Sequence, residues 1–405
     1  MLRHEKRPFP IVAYNGIFKA LRLSPRLDFD QIIKRARKNT GLKDLGDDFY
    51  DLALRLQIES INNEAMLHPF GVLMIREKII SQLENRLWAE YWLMKHPGIL
   101  GQDVLPVVLI TGLQRTGTTK MQRLLSELRG ARPLRSWEAL YPAPVGEVTE
   151  TKRRISRTTR NEKALKWISP AFQSIHPVFT HEPEEDVLLL DVHFMSSSTE
   201  AILNVPSYAD WLSTQDHSQA YEYERKLLKL LQWQQGGDFW VLKSPHHLEY
   251  LDVIEKVFPD TKIIWMHRPI EDCIPSFLSM LYYSRLLFSD KVDQDAIVSQ
   301  WINKLTKMLQ SGLKFRAMHS NKIIDVFFED FLKSESAVVG KIVRDLSLTQ
   351  VPMSHAGDGG KKRYLSKHRY SLEDWGLKIS ELHTQFDFYH KAIFGNSLLK
   401  RSHEH

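Results

Sequence analysis

The sequence predicts an α/β fold in which a central parallel sheet is flanked by helices, with a helical amino-terminal extension ahead of it. Three observations predict it. Short apolar runs rich in β-branched and aromatic residues recur at residues 107–110, 239–242 and 262–266, each bounded by polar residues. Each run hands over through a turn to apolar residues at helical spacing, the strand, turn, helix order that parallel sheets require. Residues 1–104 lack such runs and carry helical periodicity instead.

With 405 residues, 43% hydrophobic and 26% charged, the chain is long enough for one large α/β domain with an extension. We divide it into 1–104, an extension packed on the core, and 105–405, the α/β domain. The formal net charge of +6 favours anionic ligands, but Lys and Arg are spread along the chain, which argues against a nucleic-acid partner. Cys273 is the single cysteine, which excludes an internal disulfide framework and a cysteine-rich zinc site and fits a reducing compartment. No apolar run approaches the ~18 residues a membrane span needs, and Met1 to Pro8 lack an apolar signal core, so the cytoplasm is the expected location. A homo-oligomer is compatible with all of this.

In the extension, Asp28 and Asp30 ahead of Ile32 and Ile33 predict a capped helix that stops at Gly41. Residues 49–61 carry apolar side chains at three- and four-residue steps, and 77–96 place Ile80, Leu83, Leu87 and Tyr91 on one stripe that ends at Pro97-Gly98. Trp88 and Trp92 thicken that stripe and are read as core.

The strand at 107–110 runs into Thr111-Gly112-Leu113-Gln114-Arg115-Thr116-Gly117-Thr118-Thr119-Lys120, then Met121, Leu124, Leu125 and Leu128 at helical spacing. A strand, a tight glycine turn and a helix start present backbone N–H groups and a positive dipole end to an anion. The two glycines have phosphate-loop spacing, but Thr118 and Thr119 stand where that loop has its Lys and Ser/Thr. A loop that lacks the lysine and carries Arg115 inside the turn suits a shorter anion than a triphosphate.

Residues 129–160 read as basic and irregular, with Arg153, Arg154, Arg157 and Arg160 assigned to a solvated helix face in preference to a ligand. His181-Glu182-Pro183-Glu184-Glu185-Asp186 precedes the apolar run 187–190, as at a helix start, with more carboxylates than a helix start requires. The strand at 239–242 ends on Lys243-Ser244-Pro245-His246-His247, and a helix is expected over 248–258. Adjacent histidines rarely share one ion and no third ligand is spaced nearby, so no metal is expected. The strand at 262–266 leads to His267-Arg268-Pro269 and a helix from Ile270 that carries Pro275 and Ser276. An arginine leaving a strand and a serine on the next helix can close on one phosphate. A fourth strand is expected over 322–328, and the tail from Gly357 is rich in glycine and lysine before a final amphipathic helix. Each strand thus delivers polar residues at its carboxyl end, the edge where open parallel sheets bind ligands.

Taken together, the 112–119 loop, the Leu242-Lys243-Ser244-Pro245-His246-His247 turn, and Phe258-Pro259-Asp260 leading to His267-Arg268-Pro269 with Ser276 resemble the sulfotransferases that use 3′-phosphoadenosine 5′-phosphosulfate (PAPS), in particular the bacterial branch with a helical amino-terminal extension. The resemblance spans residues 105–285 strongly and the flanks weakly. It implies a P-loop-like three-layer fold, with the 5′-phosphosulfate held by Arg115, Thr116, Gly117, Thr118 and Thr119 and the 3′-phosphate between Arg268 and Ser276. The family's histidine matches His247 better than His246. The late basic loop of many relatives is present only as Gly360-Lys361-Lys362-Arg363, in a different order.

In-line sulfuryl transfer builds negative charge on the departing phosphate and requires cationic donors, positioning and a base, without a metal. Lys243 and Arg115 are the expected donors. Glu185 is the expected general base because the spacing from Pro183 resembles the family's pattern, with His181 and His247 as its rivals. The expected acceptor is a small molecule bearing a hydroxyl or amine. The aromatic residues of 1–104 and 129–180 point to an apolar acceptor pocket or, equally, to plain core. A nucleotide kinase or phosphohydrolase would share the fold but needs the loop lysine and a magnesium-holding aspartate; a non-catalytic nucleotide binder would need neither Lys243 nor the acidic cluster.

Overall fold

A computed structural model describes residues 6–348 and 371–395. Five strands, β1 (Val107–Thr111), β2 (Ala131–Pro133), β3 (Phe239–Lys243), β4 (Lys262–His267) and β5 (Ile323–Phe327), form one parallel sheet in the order β2-β3-β1-β4-β5. Side chains alternate strictly between its faces. Val107, Leu109, Trp240, Leu242, Ile263 and Trp265 point into a large core, while Val108, Ile110, Phe239, Val241, Ile264 and Met266 point into a smaller one. Both faces are therefore buried, which is why the strands read as continuous apolar runs.

The smaller core is closed by α5 (Thr118–Ser126), through Met121 and Leu125, and by Phe331, Val339 and Ile342. The larger one takes in the amino-terminal helices α2 (Phe29–Thr40), α3 (Phe49–Glu64) and α4 (Pro69–Lys95), with Ile80, Leu83, Leu87 and Trp92 in the same cluster as Leu109 and Trp240, while α1 (Phe9–Ala20) packs on α4 outside that cluster. Asp28 caps α2 by accepting from the Gln31 N–H, and Gly41 ends that helix in a left-handed conformation. Helix α4 starts at Pro69, ahead of the expected 77, because His68 accepts from the Gly71 N–H and Pro69 occupies the first helical position.

Residues 129–180 depart most from expectation. They contain β2 at the sheet edge, then α6 (Ser136–Leu140), α7 (Lys152–Ile168) and α8 (Pro170–Ile175). The arginine in β2 hid it: Arg132 is buried against the Trp240 ring and makes a 2.6 Å ion pair with Glu138, and a buried charge reads as loop in a sequence. Of the four arginines on α7, Arg153 and Arg160 are exposed as expected, but Arg154 is buried, donating to the carbonyls of Glu150 and Tyr141, and Arg157 pairs with Glu84 at 3.2 Å. Residues expected as a helix over 248–258 form a tight helical turn, Pro245–Glu249, and a helix, Leu251–Val257. Lys361, Lys362 and Arg363 lie outside the described residues. Among the described residues no helix is long and apolar enough to cross a membrane.

Candidate active site

The turn after β1 is shaped by two backbones that tolerate no side chain. Gly112 has φ +135°, and a Cβ there would stand 2.4 Å from the Met266 carbonyl oxygen of β4. Gly117 has φ +93° at the start of α5, and a Cβ there would stand 2.8 Å from the Phe328 ring. Arg115, between them, also has positive φ. The loop is locked from within, as the Thr116 hydroxyl donates to the Leu113 carbonyl at 2.7 Å. Thr118 is buried and Thr119 exposed on the first turn of α5. The Thr111 hydroxyl donates to the Ser244 carbonyl at 3.0 Å, tying this turn to the end of β3.

β3 runs beside β1 with Ile110 opposite Lys243, so Lys243 leaves the sheet next to the glycine turn. Lys243 is 2% exposed, and its Nζ donates to Glu185 Oε1 at 2.6 Å. Ser244 Oγ donates to the other carboxylate oxygen at 3.3 Å. Glu185 reaches this point because the acidic segment is pinned as extended backbone beside the chain that continues β2. Glu184 N–H donates to the Leu134 carbonyl, Ser136 N–H to the Glu182 carbonyl, and Gln122 of α5 to the Glu184 carbonyl. The apolar run becomes a single turn, α9 (Val187–Leu190). His181, by contrast, is exposed.

Asp186 turns the opposite way from Glu185, into the core. Its Oδ2 lies 2.9 Å from His247 Nε2, and the other ring nitrogen of His247 lies 2.8 Å from the Tyr221 hydroxyl. His247 thus faces a buried network and anchors the acidic segment to the Lys243 turn. Glu224 lies against the same network: burial, then the neighbouring Asp186 charge, raise its carboxyl well above the usual range. Asp186, Glu224 and His247 bring their ligand atoms within 4.8 Å of one another, and all three are buried, with Asp186 and His247 already engaged with each other. His246 faces Ser197, 3.0 Å from its hydroxyl.

Arg268 leaves β4 toward the same edge. It donates to the Arg115 carbonyl at 3.1 Å, lies 4.5 Å from the centre of the Phe328 ring, and pairs with Asp272 at 3.3 Å. The ring that a Gly117 side chain would strike is therefore the ring beneath Arg268. Ser276 lies one helical turn beyond Asp272 on the helix Ile270–Leu286. Its hydroxyl is buried and has no hydrogen-bond partner among the described residues. An orphaned buried hydroxyl on the helix that follows Arg268 fits an anion bound there.

Sequence reasoning passed over His176. It follows α8, and Arg115 donates at 3.3 Å to the carbonyl of Ile175 just before it. Burial lowers its pKa, and its ring stands in the fields of Glu184, Glu185, Lys243 and Arg115. A lone histidine between two helices carries no motif, and only the packing of α8 brings it to the site.

A profile described as "Sulfotransferase family" matches residues 106–352. Comparison with curated proteins gives no match. Among solved structures, the sulfotransferase STF1 from Mycobacterium tuberculosis H37Rv is similar at 28% identity and a TM-score of 0.77, over 89% of this chain and 98% of that one. The sulfotransferase STF9 from Mycobacterium avium has the same fold at 22% identity and a TM-score of 0.79, over 90% of this chain and 96% of that one. With its parallel sheet, glycine loop and Lys243 turn all inside the matched span, the chain belongs to the sulfotransferase family.

Proposed function

We propose that this sulfotransferase takes PAPS as donor and moves its sulfuryl group to a hydroxyl or amine of a small, partly apolar acceptor, with Glu185 as general base. The observation that carries this reading is the Lys243–Glu185 pair at 2.6 Å, held where β3 ends beside the glycine turn of β1. The donor supplies the sulfuryl group and leaves as adenosine 3′,5′-bisphosphate (PAP). The residues present fit it. Positive φ at Gly112, Arg115 and Gly117 curls the turn's backbone ahead of α5, Thr118 begins that helix with its unpaired N–H groups, and Ser276 offers an unused donor. Arg268 and Ser276 are assigned to the 3′-phosphate, and Arg115, Thr116, Gly117, Thr118 and Thr119 to the 5′ end.

Lys243 serves two partners. Its Nζ donates to Glu185, and it stands ready to meet negative charge that grows on the departing phosphate. Glu185 accepts the acceptor's proton, with Ser244 fixing the second carboxylate oxygen. Asp186, through His247, is a positioning residue for both. The test is sulfuryl transfer from radiolabelled PAPS in a cell extract, followed by identification of the labelled product. Label that appears with wild-type protein and not with Glu185→Gln supports the reading; label that appears equally with both overturns Glu185 as base.

A further inference from the structure

A cavity of about 440 Å³ lies between α4, α7 and α9, and the sulfotransferase reading gives it a use. Its walls are mainly apolar, with Leu73 and Met74 from α4, Leu140 from α6, Leu165 and Ile168 from α7, and Leu188 from α9. The charges on its wall are all paired: Lys78 with Asp191 at 2.8 Å, Arg157 with Glu84 at 3.2 Å, and Glu77 with Arg76 at 3.2 Å. The amide nitrogens are occupied too, Asn85 on the Leu140 carbonyl, Gln82 on Asp191 and Asn161 on the Tyr141 hydroxyl, and only the Gln82 carbonyl oxygen is left without a partner among the described residues. A ligand here meets apolar surface and no spare charge. The volume is that of a site for a drug-sized molecule.

The cavity wall is joined to the site through the backbone. Leu188 N–H donates to the Glu185 carbonyl at 3.4 Å, so this wall residue lies one helical turn along the chain from the residue whose carboxylate bonds to Lys243. We propose that the cavity between α4 and α7 holds the body of the acceptor, and that the acceptor is an uncharged hydroxyl compound with an apolar body, its hydroxyl passing Leu188 to reach Glu185. This rests on the sulfuryl-transfer reading above. In the step itself the acceptor oxygen bonds to sulfur, the bond from sulfur to the 5′-phosphate oxygen breaks, its electron pair leaves on PAP, and the hydroxyl proton passes to Glu185. The amino-terminal helices then select the acceptor, while the sheet edge holds the donor.

The test is calorimetric binding of 4-alkylphenols, methyl to octyl, to the full chain saturated with PAP. Affinity is expected to rise about three- to fourfold per added methylene, the value of burying each one. Ala164→Trp projects into the cavity from the exposed side of α7 and should flatten the series, cutting octylphenol affinity more than tenfold while leaving methylphenol and PAP affinities unchanged. Leu73→Trp, from the opposite wall, does the same if Ala164→Trp fails to fold. A flat series in wild type, an unchanged slope in a folded tryptophan variant, or equal affinity for 4-alkylbenzoates overturns the assignment, and PAP binding that persists leaves the transfer reading standing. Loss of PAP binding by wild type overturns that reading instead.

Discussion

The turn after β1 and the cluster after β3 meet at one edge of the sheet, yet they are built by opposite means. The first is made of backbone: positive φ at Gly112, Arg115 and Gly117, with neighbours packed to within a Cβ of each glycine. The second is made of side chains, with Lys243, Glu185, Ser244, Asp186 and His247 drawn from two segments and held by charge and hydrogen bonds. A backbone site fails by steric intrusion, all at once. A side-chain site can be taken apart one group at a time, and each group has its own signature.

The largest effect is expected from Gly117→Val. The valine clashes with Phe328 and must adopt φ +93°, so PAP binding should vanish while the far-ultraviolet circular dichroism persists. Normal calorimetric affinity in that variant would mean that the turn is not the phosphate cradle.

Glu185→Gln comes next, with turnover expected to fall ~10²–10⁴-fold while PAP affinity is kept. It also leaves the buried Lys243 ammonium without its counter-ion, which costs stability for a reason unrelated to catalysis. Adding Lys243→Met should restore thermal stability, which identifies the unpaired ammonium as its cause; turnover is read from Glu185→Gln alone, because Lys243 also serves the departing phosphate. A glutamine variant within a few-fold of wild type would remove Glu185 as base.

Arg268→Ala should weaken PAP binding by ~1.5–3 kcal/mol, the value of a charge-assisted contact, and adenosine 5′-phosphosulfate binding by much less. Since Arg268 also supports the Arg115 carbonyl, the second loss is not zero. Equal losses for the two ligands would show that Arg268 braces the loop and does not read the 3′-phosphate.

The smallest effect belongs to His176. Its folded pKa is lowered by burial, so the ring is neutral at pH 7, and the stability that goes with the neutral form is lost as pH falls below the ordinary value near 6.5 toward the folded value. Protonation would place a cation among Arg115 and Lys243. His176→Asn should therefore remove an acid limb below pH 6.5 from the kcat/KM profile and from the melting temperature, while changing turnover at pH 8 by a few-fold at most. A profile identical to wild type would place His176 outside the site's electrostatics.

The contrast between backbone and side chains also marks what could be read in advance. Short continuous apolar runs, glycines at fixed spacing and a lysine where a strand stops are local properties, because φ/ψ limits and strand pleating act within a few residues. The parallel sheet, the 112–119 turn and the Lys243 turn were accordingly legible in the sequence. Glu185 was legible only by resemblance, since its bond to Lys243 spans 58 positions and depends on β2, a three-residue strand carrying a buried arginine. The inward turn of Asp186 to His247, the placement of His176 and the cavity between α4 and α7 were decided by tertiary structure alone. Each depends on which distant surfaces come to share a dry interior, and there the strength of a charge pair or hydrogen bond is set by the burial around it and not by neighbours in the chain.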